Sequence, residues 1–190
     1  MVTNLNDNLT NYALQEGTFR TALENARVIP GANTISLPFP SGTITLAGGL
    51  PLLDHDVTVN GPSPGQVTLR GNDTFRIVET RGTVNFNHLV FRNGLDPLLG
   101  GAIFNRGTLS LSACTLTANA ASARGSALAN FASGGPGVLS MSNCVVSGNT
   151  GAAAVDIASG PATIGTTAFS GNTGGNISGL YTDAGGNSFM

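Results

Sequence analysis

The chain has 190 residues, of which 41% are hydrophobic, so it is long enough for one domain with a continuous core and too apolar for a disordered segment. Only 9% of the residues are charged and the net charge is −2, so no basic face is available for phosphates and we expect no nucleic-acid partner. No stretch approaches the ~18 apolar residues of a spanning helix, so we expect no membrane span.

The beginning of the sequence bears on where the protein works. Met1 is followed by Val2, Thr3 and Asn4 rather than by a basic stretch and an apolar segment, so no secretory signal is present in this sequence. A composition rich in serine, threonine, asparagine and glycine, with hardly any charge, is typical of exported solenoids. We therefore expect an extracellular or cell-surface protein whose signal segment is absent from this sequence.

Residues 17–26 are predicted to form the one helix of the chain. Four apolar residues fall on one helical face: Phe19, Ala22, Leu23 and Ala26. Thr18 is placed to be the N-cap, and the helix must end before Pro30 and Gly31. Such a short helix is marginal alone in water, so residues 1–31 are predicted to be an N-terminal cap, a strand plus this helix, over the first turn of a solenoid.

Beyond the cap, short runs alternate apolar and polar residues and end at glycine, proline or asparagine, as in Thr34-Ile35-Ser36-Leu37. The segments 109–114 and 139–144 can be overlaid on each other, and the overlay gives three strands per coil. An apolar residue followed three positions later by asparagine recurs at intervals of 23 to 33 residues, which indicates a repeat architecture. The pattern predicts an all-β fold, a right-handed single-stranded parallel β-helix of the pectin-lyase-like class with a short N-terminal capping α-helix.

The coils are predicted to occupy residues 32–174, and residues 175–190 are predicted to form a last, partial coil. This last segment has no helix signal and is too short for a covering hairpin, so its strand edges are expected to stay uncapped. Exposed edges pair readily. We therefore expect end-to-end self-association, or a longer parent protein that continues the stack.

Three segments and one repeat resemble a known group of proteins: Gly17-Thr18-Phe19-Arg20-Thr21-Ala22, Pro30-Gly31-Ala32-Asn33-Thr34-Ile35, Val57-Thr58-Val59-Asn60-Gly61-Pro62, and the repeat Gly-Thr-Leu-Ser-Leu-Ser-Ala-Cys-Thr-Leu-Thr-Ala-Asn that begins at Gly107. They are similar to bacterial right-handed parallel β-helix surface proteins with CSLREA-type and polymorphic-outer-membrane-protein-like repeats. The resemblance implies an extracellular or surface-exposed coil with an adhesive or unknown role. It implies no catalytic residue.

One asparagine per coil is predicted to stack on the next as an amide ladder. The five positions are Asn60, Asn93, Asn119, Asn149 and Asn172. Stacked amides can donate to one another and to turn backbone, and a ligand site would need more varied chemistry. We interpret this column as structural.

A second column lies five residues before each asparagine: His55, His88, Cys114, Cys144 and Thr167. Two histidines and two cysteines suggest zinc, but coils spaced by ~4.8 Å spread these side chains too far for one ion. Only an adjacent pair could share a metal, and the best placed pair is His88 with Cys114. His88 need not face the same way as Cys114, because its coil is one residue shorter. We interpret all five as core or turn residues, with Cys114 and Cys144 as buried free thiols rather than a disulfide.

Several charged residues remain as candidates for chemistry. Asp54-His55-Asp56 could bind calcium or act as acid and base, although short polar residues are also ordinary in turns. The other carboxylates considered are scattered through different coils: Asp73, Glu79, Asp96, Asp156 and Asp183. Arg81 and Arg106 begin two adjacent coils, which is typical of an exposed turn, and could alternatively bind an acidic sugar.

Two functions follow from this sequence. The first is a non-catalytic extracellular or cell-surface structural or adhesion module, without catalytic residue, metal or cofactor. Its partners are a second copy, a surface carbohydrate or a protein, met through loops such as 95–99 and 132–136. The alternative is a carbohydrate-active enzyme, a polysaccharide lyase or glycoside hydrolase, with Asp54, Asp56 and Glu79 as its carboxylates.

Overall fold

The computed structural model describes residues 1–7, 16–63 and 65–190. Within them, one helix precedes 21 short strands that stack as a parallel β-solenoid of about six turns, which confirms the predicted fold class. The elements are α1 (Phe19–Val28), β1 (Asn33–Ser36), β2 (Gly42–Thr45), β3 (Val57–Asn60), β4 (Val67–Arg70), β5 (Val78–Thr80), β6 (Thr83–Asn87), β7 (Leu89–Arg92), β8 (Ile103–Asn105), β9 (Thr108–Ser112), β10 (Thr115–Thr117), β11 (Ala120–Ala121), β12 (Leu128–Asn130), β13 (Val138–Ser142), β14 (Val145–Ser147), β15 (Thr150–Gly151), β16 (Val155–Ile157), β17 (Ala162–Gly165), β18 (Ala168–Ser170), β19 (Ile177–Gly179), β20 (Thr182–Asp183) and β21 (Ser188–Phe189).

Three long sheets form the walls of the solenoid. The first has the order β1-β3-β6-β9-β13-β17-β20, the second β2-β4-β7-β10-β14-β18-β21, and the third β19-β16-β12-β8-β5. A small fourth sheet joins β11 to β15. The chain passes each long sheet once per turn, so neighbouring strands come from successive turns and run parallel without connecting helices.

The core lies inside these walls, and strands of the first sheet such as β3, β6 and β9 alternate inward apolar and outward polar residues. In β9, Leu109 and Leu111 are fully buried, whereas Thr108, Ser110 and Ser112 are only partly covered. Side chains on one face of a strand are two residues apart, so this alternation fixes which face meets the core.

Helix α1 has the ends that its sequence predicts. The Thr18 hydroxyl accepts a hydrogen bond from the Thr21 backbone N–H at 3.2 Å, and the helix stops at Val28 before Pro30. Phe19 and Leu23 are buried in the same core as the first turn of the solenoid, so the helix covers that end.

The segment before α1 is tied down by an ion pair. The Arg20 guanidinium contacts the Asp7 carboxylate at 2.7 Å and donates to the carbonyls of Gly48 and Gly49 at 2.7 and 2.8 Å. No strand occurs among residues 1–7 and 16–31, and the rest of the predicted cap, residues 8–15, lies outside the described residues.

The opposite end is a further coil. Its three strands β19, β20 and β21 pair with β16, β17 and β18 of the preceding coil. In the described part of the chain each is the last strand of its sheet, so its outer edge has no pairing strand.

Candidate functional site

Three of the five predicted asparagines form a ladder at the corner after the second sheet, in which Asn119 and Asn149 are fully buried and Asn172 is partly buried. The Asn119 side-chain amide donates to the Asn149 Oδ1 at 3.1 Å, and the Asn149 amide donates to the Asn172 Oδ1 at 3.0 Å. Each of the two Oδ1 atoms also accepts the backbone N–H of the preceding ladder residue, at 2.9 and 3.0 Å. The three amides also donate to the carbonyls of Phe91, Leu116 and Val146. The ladder therefore satisfies the polar backbone of a buried turn.

The prediction is wrong for Asn60 and Asn93. Asn60 lies in the first sheet, where its Oδ1 accepts from the Asn87 amide at 2.8 Å. Asn93 lies one residue before the ladder position of its coil. Gly94 holds that position, since its backbone N–H donates to the Asn119 Oδ1. The two coils differ by one residue in which side chains face inward. Leu116, three residues before Asn119, is inward and buried, whereas Val90, three residues before Asn93, faces outward. A Cβ at Gly94 would lie 2.4 Å from the Gly101 carbonyl oxygen, so only glycine fits there.

A second buried polar file, under the third sheet, was not predicted as a ladder. The Thr80 hydroxyl donates to the Asn105 Oδ1 at 2.7 Å, and the Asn105 amide donates to the Asn130 Oδ1 at 2.6 Å. All three side chains are fully buried. The sequence does contain a signal for the pair Asn105 and Asn130, since residues 101–105 resemble residues 125–130 and both segments begin with glycine and end with asparagine.

The cysteines are confirmed as free, buried thiols. Each lies directly before a second-sheet strand, Cys114 before β10 and Cys144 before β14, and these two strands pair. Burial raises the pKa of Cys114 to about 12 and that of Cys144 to about 11. The two Sγ atoms donate to backbone carbonyls, for example Cys114 to Phe86 at 3.3 Å and Cys144 to Ser142 at 3.2 Å. A thiol that is buried and protonated is a poor nucleophile and a poor metal ligand.

His88 does not pair with Cys114 in the strand register. His88 has a positive φ of 55° and occupies the corner before β7, as Ala113 does before β10. The pairing of Val90 with Thr115 places Leu89, not His88, beside Cys114. His55 precedes a first-sheet strand at another corner. Within the described residues, no three His, Cys, Asp or Glu side chains are grouped closely enough to hold a metal ion.

The triplet Asp54-His55-Asp56 is engaged in local structure. Asp54 contacts Arg27 of α1 at 3.1 Å, and Asp56 accepts the backbone N–H of Thr83 at 3.0 Å. Burial alone raises the pKa of Asp54, but the His55 ring 3.5 Å away and the Arg27 charge outweigh it and lower the pKa below its ordinary value. The triplet therefore joins the helix and the next coil to this turn.

The outer side of the third sheet and its flanks carry a cluster that we call the charged face. It comprises Arg76, Glu79, Arg81, Asp96, Phe104, Arg106, Arg124, Phe131 and Asp156. Strand register brings these residues together, since Glu79 pairs with Phe104 and Ala129 pairs with Asp156. Half of the eight arginines of the chain lie here.

Glu79 is the centre of the charged face. Arg81 lies 3.0 Å from its carboxylate, and Arg76 and Arg106 lie 3.8 and 3.9 Å away. Arg76 also contacts Asp96 at 2.6 Å. The structure thus brings the predicted pair Arg81 and Arg106 to one carboxylate, and places Asp54 and Asp56 in a different turn.

Two of these arginines cover an aromatic ring. The guanidinium groups of Arg76 and Arg106 lie 5.1 and 4.8 Å from the centre of the Phe104 ring, which is 4% exposed. Arg124 lies over Phe131 and contacts Asp156 at 3.3 Å. Such cation–π contacts orient the guanidinium groups. Sequence reasoning missed the aromatic part of this face, because the next coil has Ala129 at the position of Phe104 and the rings therefore do not recur from coil to coil.

Comparison with known protein families, with curated proteins and with solved structures found no match to this chain. No helix in residues 1–7, 16–63 and 65–190 is long and apolar enough to cross a membrane.

Proposed function

We propose that the chain is a non-catalytic structural or adhesion module of an extracellular or cell-surface protein, the role implied by its resemblance to bacterial β-helix surface proteins. The observation that supports this proposal most is that each candidate carboxylate is already engaged in contacts within the fold. Asp54 binds Arg27, Asp56 binds the Thr83 backbone, and Glu79 is held among arginines. The three face different partners instead of one open site.

Hydrolysis of a glycosidic bond needs two carboxyl groups on either side of the substrate. A cavity of about 410 Å³ between α1 and β1 has Val2, Ala26 and Ile35 in its wall, and none of the described residues lining it is acidic. Carboxylates that hydrogen-bond the backbone of a turn or pair with arginines stabilise the fold. They are not free to exchange protons with a substrate in that geometry.

A carbohydrate-active enzyme is the second candidate, and the charged face is the observation that favours it. Glu79 and Arg76 also line a small cavity of about 200 Å³ with Leu50 and Leu52. Arginine guanidinium groups bind the carboxylates of acidic sugars through planar, bidentate hydrogen bonds. Cleavage at this face would require Glu79.

A polysaccharide screen separates the two functions. Acidic and neutral polysaccharides are incubated with the protein, with and without calcium, and released reducing ends and unsaturated products are measured. The scaffold function predicts no turnover. Turnover that is lost in Glu79→Gln, Asp54→Ala or Asp56→Ala, and kept in the control Glu24→Gln on the cap helix, would establish the enzyme instead. Labelling of intact source cells with an antibody against the protein tests the surface location.

A further inference from the structure

The outward side of the first sheet carries short uncharged polar residues in register along the solenoid. Strand pairing aligns one file of seven: Thr34, Thr58, Asn85, Ser110, Ser140, Thr163 and Thr182. A second file beside it has five: Ser36, Asn60, Asn87, Ser112 and Ser142. Every member has a hydroxyl or an amide.

This face differs from the rest of the surface in charge. The six first-sheet strands from β1 to β17 contain no charged residue, whereas the second sheet has Arg70 and Arg92 and the third carries the charged face. Nor is an aromatic residue at an outward position, since Phe86 of β6 points into the core. Sugars stack their apolar sides on aromatic rings, so this face does not suit a polysaccharide. An anionic or cationic polymer has no counter-charge to meet here.

The side chains form a fixed two-dimensional lattice. Members of one file are ~4.8 Å apart, and the two files are separated by two residues of strand, about 6.7 Å. Hydrogen bonds within the files hold some of these side chains: Asn85 donates to the Thr58 hydroxyl at 3.2 Å and Asn87 to the Asn60 Oδ1 at 2.8 Å. Little side-chain entropy is then lost when a rigid partner binds.

A rigid partner must be uncharged, hydrogen-bonding and periodic on the same scale. Water molecules joined tetrahedrally by O–H···O bonds of about 2.75 Å repeat at about 4.5 Å between second neighbours, and at about 7.3 Å along the perpendicular axis of the ice lattice. The spacing of side chains along a file therefore differs from the shorter ice repeat by about 0.3 Å per coil, and the spacing between the two files differs from the longer ice repeat by about 0.6 Å. We propose that the outer face of the first sheet binds ice crystals.

Ice binding is measured by partition of the protein into slowly growing ice and by the gap between the melting and freezing temperatures of a seed crystal. The test variants are Ser110→Tyr and Ser140→Tyr, which place a ring in the middle of the first file. Thr117→Tyr is the matched control, because Thr117 faces outward from the second sheet in the same coil as Ser110. Tyrosine is well tolerated on exposed strands, and the melting temperature of each variant verifies folding.

The wild type is expected to enter the ice and to open a freezing gap. Each first-sheet variant should need at least tenfold more protein for the same gap, and Thr117→Tyr should stay within twofold of the wild type. Exclusion of the folded wild type from ice, as for serum albumin, overturns the proposal, and so does equal loss in all three variants. The polysaccharide screen is independent, so failure here leaves the scaffold function standing.

Discussion

Replacing Asn149 with alanine tests how much the buried ladder stabilises the fold. The Asn149 side chain makes four hydrogen bonds of 2.9 to 3.1 Å, two with Asn119, one with the Leu116 carbonyl and one with Asn172. Alanine leaves the buried Asn119 backbone N–H without its acceptor, at a cost of about 1–3 kcal/mol, and removes three further bonds of about 0.5–1.5 kcal/mol each. These contributions add to about 2.5–7.5 kcal/mol, and single substitutions rarely cost more than about 5 kcal/mol, so we expect the free energy of unfolding to fall by about 3–5 kcal/mol.

Asn60→Ala is the matched control for this substitution. Asn60 is partly exposed on the first sheet and accepts one bond, from Asn87, so its loss should cost about 1 kcal/mol or less. Urea titrations followed by circular dichroism measure both variants, and an unchanged m-value shows that the comparison is valid. The reasoning fails if Asn149→Ala destabilises the protein no more than Asn60→Ala does.

Three other predictions follow from the structure. A pKa of about 11 for Cys144, against 9.0 for an ordinary cysteine, lowers the thiolate fraction about 100-fold at pH 8. Labelling by a thiol reagent should therefore be at least about 100-fold slower in native protein than in urea, and equal rates would show exposed thiols. Ala118 has a φ of 52°, which favours glycine, so Ala118→Gly should raise stability by about 1 kcal/mol and the melting temperature by about 2–4 °C. Ala120→Gly, in strand β11, should lower stability instead, and a loss in both variants would contradict this. Leu180 and Met190 are 92% and 81% exposed on the last described coil, so we expect end-to-end pairing of two copies of this chain. Light scattering should show the mass rising with concentration and returning to one chain in Leu180→Asp, and a constant monomer mass would refute it.

The architecture could be predicted because it follows from local patterns. Alternation of apolar and polar residues fixes which side of each strand is buried, and the cap helix has both its N-cap Thr18 and its stop at Pro30 in the sequence. The free thiols followed from the equal positions of Cys114 and Cys144 in two overlaid coils. These inferences need no knowledge of which residues contact each other.

Register between coils could not be predicted in the same way. A one-residue shift in the coil of Asn93 moved that residue out of the ladder and put Leu89 rather than His88 in register with Cys114. The charged face depends on register too, since Glu79 and Phe104 meet only because β5 pairs with β8. Loops of unequal length between strands change the register between coils. The length of a loop does not indicate which residues of two coils become neighbours.

A double-mutant cycle between Asn119 and Asn149 tests most directly whether successive coils are joined by stacked amides. The free energy of unfolding is measured for the wild type, for each alanine variant and for the double variant. Asn119→Ala keeps its backbone N–H, so the cycle isolates the one side-chain bond, from the Asn119 amide to the Asn149 Oδ1 at 3.1 Å. A coupling of about 0.5–1.5 kcal/mol is expected. Effects that add to within about 0.3 kcal/mol would mean that the two amides do not touch, and the stacked register described for these coils would then be incorrect.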